Sequence, residues 1–361
     1  MMSSSSKSEV RGVKTSWLAE RIPSTEVLEF LRRKQVPLHR HTVWYLLGGL
    51  TGFFFLVQVV TGVLLTFYYS PNPSEAHESV RTIVNTVPHG WLIRSIHSWS
   101  ANFMIATLFL HMFSVFLLKA YRKPREVVWI TGVILMLLVL GFAFTGYLLP
   151  WDTRAYFATL IGTEVPRAIP VLGSFAVGIL KGGEDIGAAT LMRMYTIHTT
   201  ILPLTAILII GCHVFLTLFH GSSVPPGLKG EPGHIRFFPA FLYRDLMTWT
   251  AALVVLWWVA TLVPWGLGEK ADPLASAPLG IHPEWYFLPL YQTLRLVPSS
   301  ILGINGELIV NLGVMFGMGV WFAVPFLDRA ASQERSGRAM TVLGLLLMGY
   351  LALTIVLALT T

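Results

Sequence analysis

The chain has little charge and almost no cysteine for its length. Charged residues make up 12% of its 361 residues and hydrophobic residues 54%, whereas soluble domains carry about 25% charged residues. So few charges cannot cover the surface of a soluble fold of this size, which excludes an ordinary soluble enzyme. The single cysteine, Cys212, excludes an intrachain disulfide, a CxxC zinc site and a CxxCH covalent haem site. We expect Cys212 to be a packing residue.

Seven long apolar runs account for the hydrophobic composition. Each is near the ~20 residues that a helix needs to cross a bilayer. They lie at about 43–67, 91–118, 127–149, 196–219, 247–266, 307–327 and 339–358. The predicted fold class is therefore all-α, a polytopic transmembrane helical bundle of seven spans. An amphipathic stretch within Trp17–Gln35, interrupted near Pro23, predicts a helix on the membrane surface, although a soluble cap helix fits the same pattern.

The basic residues are divided unevenly between the two ends of the predicted bundle. The end that carries the N-terminus holds 18 Lys and Arg residues, and the opposite end holds 8. The positive-inside rule then predicts a cytoplasmic N-terminus and, because seven is odd, a C-terminus on the opposite, positive side. The net charge of +7 is therefore explained as a topology signal that faces anionic headgroups, and no nucleic-acid partner is predicted.

The polar stretches between spans suggest four segments. Residues 1–42 form a cytoplasmic N-terminal segment, 43–219 a four-helix transmembrane domain, 220–246 a cytoplasmic connector and 247–361 a three-helix C-terminal domain. The two long connections on the positive side, 150–195 and 267–306, contain only short apolar pieces. Irregular backbone at membrane depth persists only where it is buried or lines a cavity. We therefore expect a site in these two connections.

Four of the eleven histidines lie in or at the ends of spans, and they form a pattern. His97 and His111 in the second span are 14 residues apart, and His198 and His213 in the fourth span are 15 apart. Each pair lies within about 60° of one helix face and about 21 Å apart along the axis. Because the two spans run in the same direction, His97 can oppose His198, and His111 can oppose His213. Two stacked bis-imidazole sites suit six-coordinate haem iron, so the first four spans are predicted to form a dihaem four-helix bundle.

Glycines repeat the same interval in the first and third spans. Gly48 and Gly62 are 14 residues apart, as are Gly132 and Gly146. Helices beside a porphyrin need positions without side chains; close helix packing also explains glycine, but not the shared interval. Arg94, one turn before His97, suits haem propionates, and a plain interfacial arginine fits equally well. A proton relay is the alternative reading of intramembrane histidines, although it gives no reason for their paired spacing.

Several longer pieces resemble the cytochrome b subunit of Rieske/cytochrome b complexes. They are LLGG…LVQVVTG (46–62), RSIH…LHMF (94–113), TGYLLPWD (145–152), VPRAIPVLGS (165–174), RMYTIHTTILPL (193–204) and HPEWYFLPLYQTLR (282–295). The resemblance extends from about Trp17 to the end. It is nearest to the chloroplast and cyanobacterial branch, in which the subunit is split in two; here both halves are joined near 220–245.

The resemblance implies a role for each matching position. His97 and His198 would ligate a low-potential haem near the positive side, and His111 and His213 a high-potential haem near the negative side. Glu284 would accept a proton from quinol, although taken alone it is a loop carboxylate that fits a solvated surface. The other quinol-site residues implied are Tyr286, Tyr147, Pro283, Trp285, Val165, Pro166 and Ile169.

Two positions depart from the family pattern. Leu46 stands where the chloroplast type has a cysteine, so an extra covalent haem is not expected. Leu218 stands where a polar residue is usual at the negative-side quinone site, and His220 is the candidate to replace it.

The implied function is quinol oxidation at a positive-side site, with electrons crossing to a negative-side quinone through two non-covalent b-type haems, coupled to proton translocation. The implied partners are a Rieske iron–sulfur protein, a c-type cytochrome or equivalent acceptor, the quinone pool, lipids and a second copy of the complex. The expected location is an energy-transducing membrane, such as a bacterial cytoplasmic membrane. The alternatives are the dihaem membrane anchor of another quinone-linked oxidoreductase, such as a hydrogenase, and a proton-coupled transporter.

Overall fold

The fold is a bundle of long helices, known from a computed structural model that describes residues 24–170, 172–228, 231–328 and 334–360. In chain order the helices are α1 (Ser24–Arg33), α2 (Leu46–Thr66), α3 (Ala76–Asn85), α4 (Gly90–Leu117), α5 (Glu126–Tyr147), α6 (Thr153–Glu164), α7 (Leu172–Lys181), α8 (Ala188–Thr196), α9 (Leu202–His220), α10 (Leu242–Leu262), α11 (Leu288–Leu296), α12 (Gly306–Leu327) and α13 (Glu334–Thr360). The strands are β1 (Gln35–Leu38), β2 (Gly233–Arg236), β3 (Ser300–Ile301) and β4 (Ile304–Asn305). The predicted surface helix within Trp17–Gln35 lies partly outside the described residues, which include only α1.

Within the described ranges, seven helical segments are long and apolar enough to cross a membrane. They are built on α2, α4, α5, the continuous α8–α9 helix, α10, α12 and α13. The predicted all-α class and number of spans are confirmed. Two short antiparallel strand pairs, β1–β2 and β3–β4, are additions that the sequence analysis did not predict.

Two of the differences from the predicted span boundaries lie beside prolines. The fifth span is helical over Leu242–Leu262, not up to residue 266, because Val263 has the extended φ of −128° that a residue before Pro264 favours. The fourth begins at Ala188, not at 196, and includes a π turn at Ile197–Ile201. Pro203 follows this turn and has no N–H for the preceding turn, so the widened turn accommodates the missing hydrogen bond.

The apolar core lies between α2, α4 and α5. Buried side chains such as Phe54, Ile105 and Trp129 fill it, and Leu256 from α10 and Val324 from α12 extend it towards the C-terminal helices. α4 packs closely along α2, and α9 packs along α5. These two helix pairs hold the four predicted histidines and the four predicted glycines opposite one another.

One end of the bundle, the long-loop end, carries the connections 148–187 and 263–287. Asp152 begins α6 as its N-cap and accepts a hydrogen bond from the Ala155 N–H at 2.9 Å. The two connections are joined by backbone hydrogen bonds, from Thr153 N to Glu269 O at 2.9 Å and from Ala271 N to Trp151 O at 3.0 Å. The long connections therefore form one layer over the bundle.

The opposite, short-loop end is held by polar contacts between distant segments. β1 pairs antiparallel with β2, from Gln35 opposite Arg236 to Leu38 opposite Gly233. Arg122 forms a 2.8 Å ion pair with Asp328, whose carboxylate also accepts a 2.6 Å hydrogen bond from Tyr121. Burial, followed by the hydrogen bond to Asp328, raises the pKa of Tyr121 above its ordinary value.

Candidate functional site

The long-loop half of the bundle brings His97 and His198 together. Their ring centroids are 6.4 Å apart, with the ring planes inclined by 70°. Metal–nitrogen bonds are about 2 Å on each side of an ion, so this separation accommodates one ion between two imidazoles. The Nδ1 atoms point away to threonines: Thr61 Oγ1 lies 2.9 Å from that of His97, and Thr145 Oγ1 lies 3.2 Å from that of His198.

Each of the four predicted glycines faces one of the four histidines. A Cβ at Gly146 would lie 2.5 Å from His198 Cε1, closer than any side chain tolerates. The other Cβ-to-Cε1 distances would be 3.1 Å for Gly48 and His111, 3.4 Å for Gly62 and His97, and 3.4 Å for Gly132 and His213. The four glycines therefore lie directly against the imidazole rings, at positions where a side chain would meet a ring.

His111 and His213 occupy the short-loop half. The Cβ position of Gly132 lies 3.4 Å from His213 Cε1 and 3.8 Å from the sulfur of Met112, the neighbour of His111. Thr131 Oγ1 lies 2.9 Å from His213 Nδ1. The bundle thus holds a second histidine pair below the first.

The three threonines fix the direction of their hydrogen bonds to histidine. Each hydroxyl has a backbone carbonyl of its own helix as acceptor: Val57 for Thr61 at 2.6 Å, Val128 for Thr131 at 2.9 Å and Gly141 for Thr145 at 2.8 Å. A hydroxyl has one proton to donate, so each oxygen accepts from the imidazole Nδ1–H. The other ring nitrogen, Nε2, is then unprotonated and suited to bind a metal. The sequence analysis missed these residues, although each directly precedes a predicted glycine as a Thr-Gly pair.

Arg94 is turned towards the 263–287 connection. Its Nη1 donates to Trp265 O at 2.6 Å and its Nη2 to Gly266 O at 3.0 Å, and the residue is only 7% exposed. A guanidinium has five N–H donors, so these bonds leave donors for an acidic group.

The PEWY segment (residues 283–286) packs against the histidine bundle. Trp285 Nε1 donates to Asn102 Oδ1 on α4 at 2.8 Å, and the Trp285 ring meets Phe109 edge to face at 6.4 Å. Beside Trp285, Glu284 is partly buried. Burial raises the pKa of Glu284, and the nearby positive charge of Arg154 opposes that rise. Asn102 is a second residue that the sequence analysis missed.

Glu284, Tyr286 and Tyr147 form one group. Burial raises the pKa of Tyr286, and the nearby Glu284 carboxylate raises it further. The Tyr147 hydroxyl is buried and has no hydrogen-bond partner among the described residues. Pro283 directly precedes Glu284 in the same segment. An acceptor and a free hydroxyl therefore lie together at the long-loop end of the bundle.

Val165, Pro166 and Ile169 lie in a separate part of the long-loop end. Val165 lines an open cavity of about 370 Å³ between α6, α11 and α12, with Glu164, Tyr291, Arg295 and Glu307 among the other lining residues. Asn311 holds the segment by donating to Val165 O at 2.7 Å, and Ile169 N donates to Pro166 O at 3.0 Å. Glu284, Tyr286 and Tyr147 are not among the residues that line this cavity.

At the short-loop end, the predicted residue His220 ends α9. Its backbone carbonyl accepts a 3.3 Å hydrogen bond from Arg125, and its ring packs edge to face on Phe219. Asp245 is among the residues at this end whose buried polar atoms have no hydrogen-bond partner in the described part of the chain. Asp245 on α10 is 9% exposed and lies against α2, where a Cβ at Gly49 would be 3.0 Å from Asp245 Oδ1.

Asp245 Oδ1 is buried without a hydrogen-bond partner among the described residues. Gly49 adjoins Gly48, which faces His111, so this carboxylate lies close to the second histidine pair. An ionisable residue inside an apolar helix is itself a signal of function. The sequence analysis missed it because Asp245 was assigned to the connector 220–246 and not to a span.

Cys212 and Leu46 lie on two different transmembrane helices. Cys212 is exposed on α9, so its expected role as a packing residue is wrong: it faces outwards from the bundle. Leu46 is the first residue of α2, directly after a 3₁₀ turn at Thr42–Tyr45.

Comparison with known proteins gives the family. A family model described as Cytochrome b/b6/petB matches residues 33–221, and one described as Cytochrome b(C-terminal)/b6/petD matches residues 270–360. The chain is 44% identical over 349 residues to a cytochrome bc complex cytochrome b subunit of Chlorobaculum thiosulfatiphilum, covering 96% of this chain and 80% of the relative. The chain belongs to the cytochrome b/b6 family.

Other members of the cytochrome b/b6 family clarify how its two halves are arranged. Cytochrome b6 of Prochlorococcus marinus is 43% identical over 209 residues, which cover 58% of this chain and 95% of that protein. A solved structure of a hyperthermophilic respiratory Complex III matches with a TM-score of 0.78 and 27% identity, covering 95% of both chains. The predicted resemblance, with both halves in one chain, is confirmed.

Family membership also decides between the functional classes. A cytochrome b of this kind is an integral membrane subunit of a bc-type quinol oxidoreductase complex, and the family implies b-type haems. The transporter alternative is therefore excluded. The paired histidines, their Nδ1 hydrogen bonds and the facing glycines fit such a group.

Proposed function

We propose that this cytochrome b oxidises quinol at its long-loop end and carries electrons across the membrane to a quinone at its short-loop end, coupled to proton translocation. The observation that carries the proposal is the facing pair His97 and His198 in one half of the bundle, with His111 and His213 close enough in the other half to interact electrostatically. Bound haem supplies a one-electron carrier at each pair. The four histidines would hold the haem irons through their Nε2 atoms, and the glycines leave space for the imidazole rings.

At the long-loop end, Glu284 is the proposed acceptor of a quinol proton. Its raised pKa brings the carboxylate closer to the pH at which a proton is taken up and released. Tyr286 and Tyr147 flank it and supply hydroxyl groups that orient a quinol. Arg94 retains N–H donors for haem propionates.

At the short-loop end, Asp245 is the proposed proton donor to quinone, in place of His220. A buried carboxylate with an unpartnered oxygen is costly, which favours a role in binding or proton transfer. Asp245→Asn keeps the shape and removes the exchangeable proton. We expect it to slow reoxidation of the short-loop haem by quinone, with both haems retained. Unchanged reoxidation kinetics would reject this role.

The proposed assembly follows from the family. The partners are a Rieske iron–sulfur protein and a c-type cytochrome or an equivalent acceptor, in a homodimeric complex. The proposed orientation has the short-loop end on the cytoplasmic, negative side, in agreement with the 18 basic residues at that end against 8 at the other. The proposed segments are 1–42, 43–219, 220–246 and 247–361.

Reduced-minus-oxidised spectra of the purified complex test the proposal. We expect two b-type haem signals, and His111→Ala should remove one while the other remains. The alternative of a dihaem anchor predicts the same spectra but no quinol-dependent reduction of a high-potential acceptor. A preparation without haem would refute the proposed function.

A further inference from the structure

Three of the four histidines have a threonine hydroxyl beside their Nδ1 atom, and the fourth, His111, does not. The Nδ1 atoms of His97, His198 and His213 each lie within 3.2 Å of a threonine hydroxyl. The Nδ1 atom of His111 is buried and has no hydrogen-bond partner in the described part of the chain. Both histidines of the long-loop pair are therefore anchored by a hydrogen bond at Nδ1, whereas only His213 of the short-loop pair is anchored in this way.

The difference begins in the sequence of α2. Gly62, Gly132 and Gly146 are each preceded by the threonine that anchors a histidine, whereas Gly48 is preceded by Leu47. Leu47 and Thr61 are 14 residues apart on one helix, and 14 residues return a helix to within about 40° of the same face. Position 47 therefore stands towards His111 much as Thr61 stands towards His97, but a leucine side chain accepts no hydrogen bond.

The nearest other hydroxyl on α2 is engaged elsewhere. Thr51 donates to Leu47 O at 2.9 Å, and its Oγ1 lies 3.2 Å from Thr107 Oγ1 on α4. Thr107 in turn donates to Phe103 O at 2.8 Å. Each of these two hydroxyls donates its one proton to its own helix, and the Nδ1 atom of His111 stays without a partner among the described residues.

The missing hydrogen bond has an electronic consequence. A hydrogen bond accepted from Nδ1–H raises the basicity of an imidazole ligand at its other nitrogen. A more basic axial ligand stabilises ferric over ferrous iron, and second-shell hydrogen bonding is one way in which a protein tunes haem potential. The fully anchored pair, His97 and His198, should therefore favour a lower potential than the half-anchored pair, His111 and His213.

We propose that Leu47 is a tuning position: by leaving His111 without a hydrogen-bond acceptor, it raises the reduction potential of the short-loop haem site above that of the long-loop site. This inference rests on the proposed function, because both pairs must hold haem. It supplies a cause within the chain for electron movement from the long-loop end towards the short-loop end.

The test is a redox titration of both haems in the purified complex, comparing Leu47→Thr with Leu47→Val. Valine has nearly the shape of threonine but no hydroxyl, so it controls for the loss of leucine packing. We expect Leu47→Thr to lower the midpoint potential of the short-loop haem relative to Leu47→Val, with the long-loop haem unchanged. Equal potentials in the two variants would overturn the inference.

A reciprocal variant covers the case in which position 47 tolerates neither change. Thr61→Val removes the acceptor from His97, and we expect the midpoint potential of the long-loop haem to rise towards that of the short-loop haem. Two intact haem spectra with no shift would count against the inference while leaving the proposed function in place. Failure of the proposed function is a different result, since wild-type protein would then show no haem to titrate.

Discussion

At the scale of single residues, the position and hydrogen bonding of each intramembrane histidine depend on two adjacent residues of a neighbouring helix. A glycine makes room for the ring, and the residue before it decides whether the ring is anchored. Because the threonine hydroxyl donates to its own helix, the histidine must donate to it, which fixes the tautomer. Two adjacent residues therefore set both the position and the protonation of a metal ligand.

Glu284 allows a prediction about both rate and pH. Glu284→Gln removes the proton acceptor and should slow quinol oxidation by about 10²–10⁴-fold, the usual contribution of a general base, with both haem spectra intact. Proton acceptance needs the ionised carboxylate, and burial raises its pKa. The wild-type rate should therefore fall on acidification at a higher pH than for an ordinary Glu, and the Gln variant should lose this limb. The measurement is steady-state turnover across pH; an identical profile in both proteins would contradict the assignment.

At the scale of secondary-structure elements, the regular spacing of residues along neighbouring helices places each glycine opposite a histidine. The third span, α5, carries Gly146 at one end and Gly132 nearer the other, each opposite a histidine of the fourth span. The π turn at Ile197–Ile201 widens the fourth span at His198. One element supplies the space and its neighbour supplies the ring.

Gly146→Ala tests whether the space opposite His198 is needed. The added methyl would lie 2.5 Å from His198 Cε1, so the ring must move, and we expect loss of the long-loop haem signal while the other remains. Gly141→Ala on the same helix is the matched control, because its methyl would meet only the Leu202 side chain at 3.7 Å. The readout is the difference spectrum of each variant. Equal haem content in both would show that the space at Gly146 is not needed.

The contact between α4 and the PEWY segment gives a prediction about quinol binding. Asn102→Leu leaves the buried Trp285 N–H without its acceptor, a loss of about 1–3 kcal/mol. We expect quinol oxidation to become slower, chiefly through a higher KM for quinol, with unchanged haem spectra. Trp285→Phe removes the donor instead, and the double variant should lose less than the sum of the two single effects. Strict additivity would mean that the bond does not position the segment.

At the scale of the whole molecule, the orientation of the bundle is open to direct measurement. Cys212 is the sole cysteine, so in a Cys212→Ser background single cysteines report accessibility. Leu279 lies in the long-loop layer and its side chain is fully exposed. A Leu279→Cys variant should therefore react with a membrane-impermeant maleimide in intact cells. Lys123→Cys at the short-loop end should react only in inverted membranes, and the reverse pattern would place the N-terminus on the positive side.

The sequence allowed the fold to be predicted, because apolar run length and helical period are local properties. The seven spans were predicted from these properties, and the family was predicted from the resemblance of longer sequence motifs; both are confirmed. Contacts between distant positions left no such signal: Asp245 against Gly49, and Asn102 with Trp285, join residues more than 180 positions apart. The end of α10 before Pro264 and the Thr-Gly pairs were visible in the sequence, and only the structure showed what they do.

The strand pair β1–β2 has a consequence for how such a chain can be divided. It clamps the segment before the first span to the segment before the fifth. The cytochrome b6 relative matches 58% of this chain and 95% of its own length. A backbone cut after the fourth span and before Gly233 would leave β1 and β2 on different fragments, joined by their pairing and by the packing of α10 on α2 and α4. We therefore expect the two fragments to remain associated after such a cut.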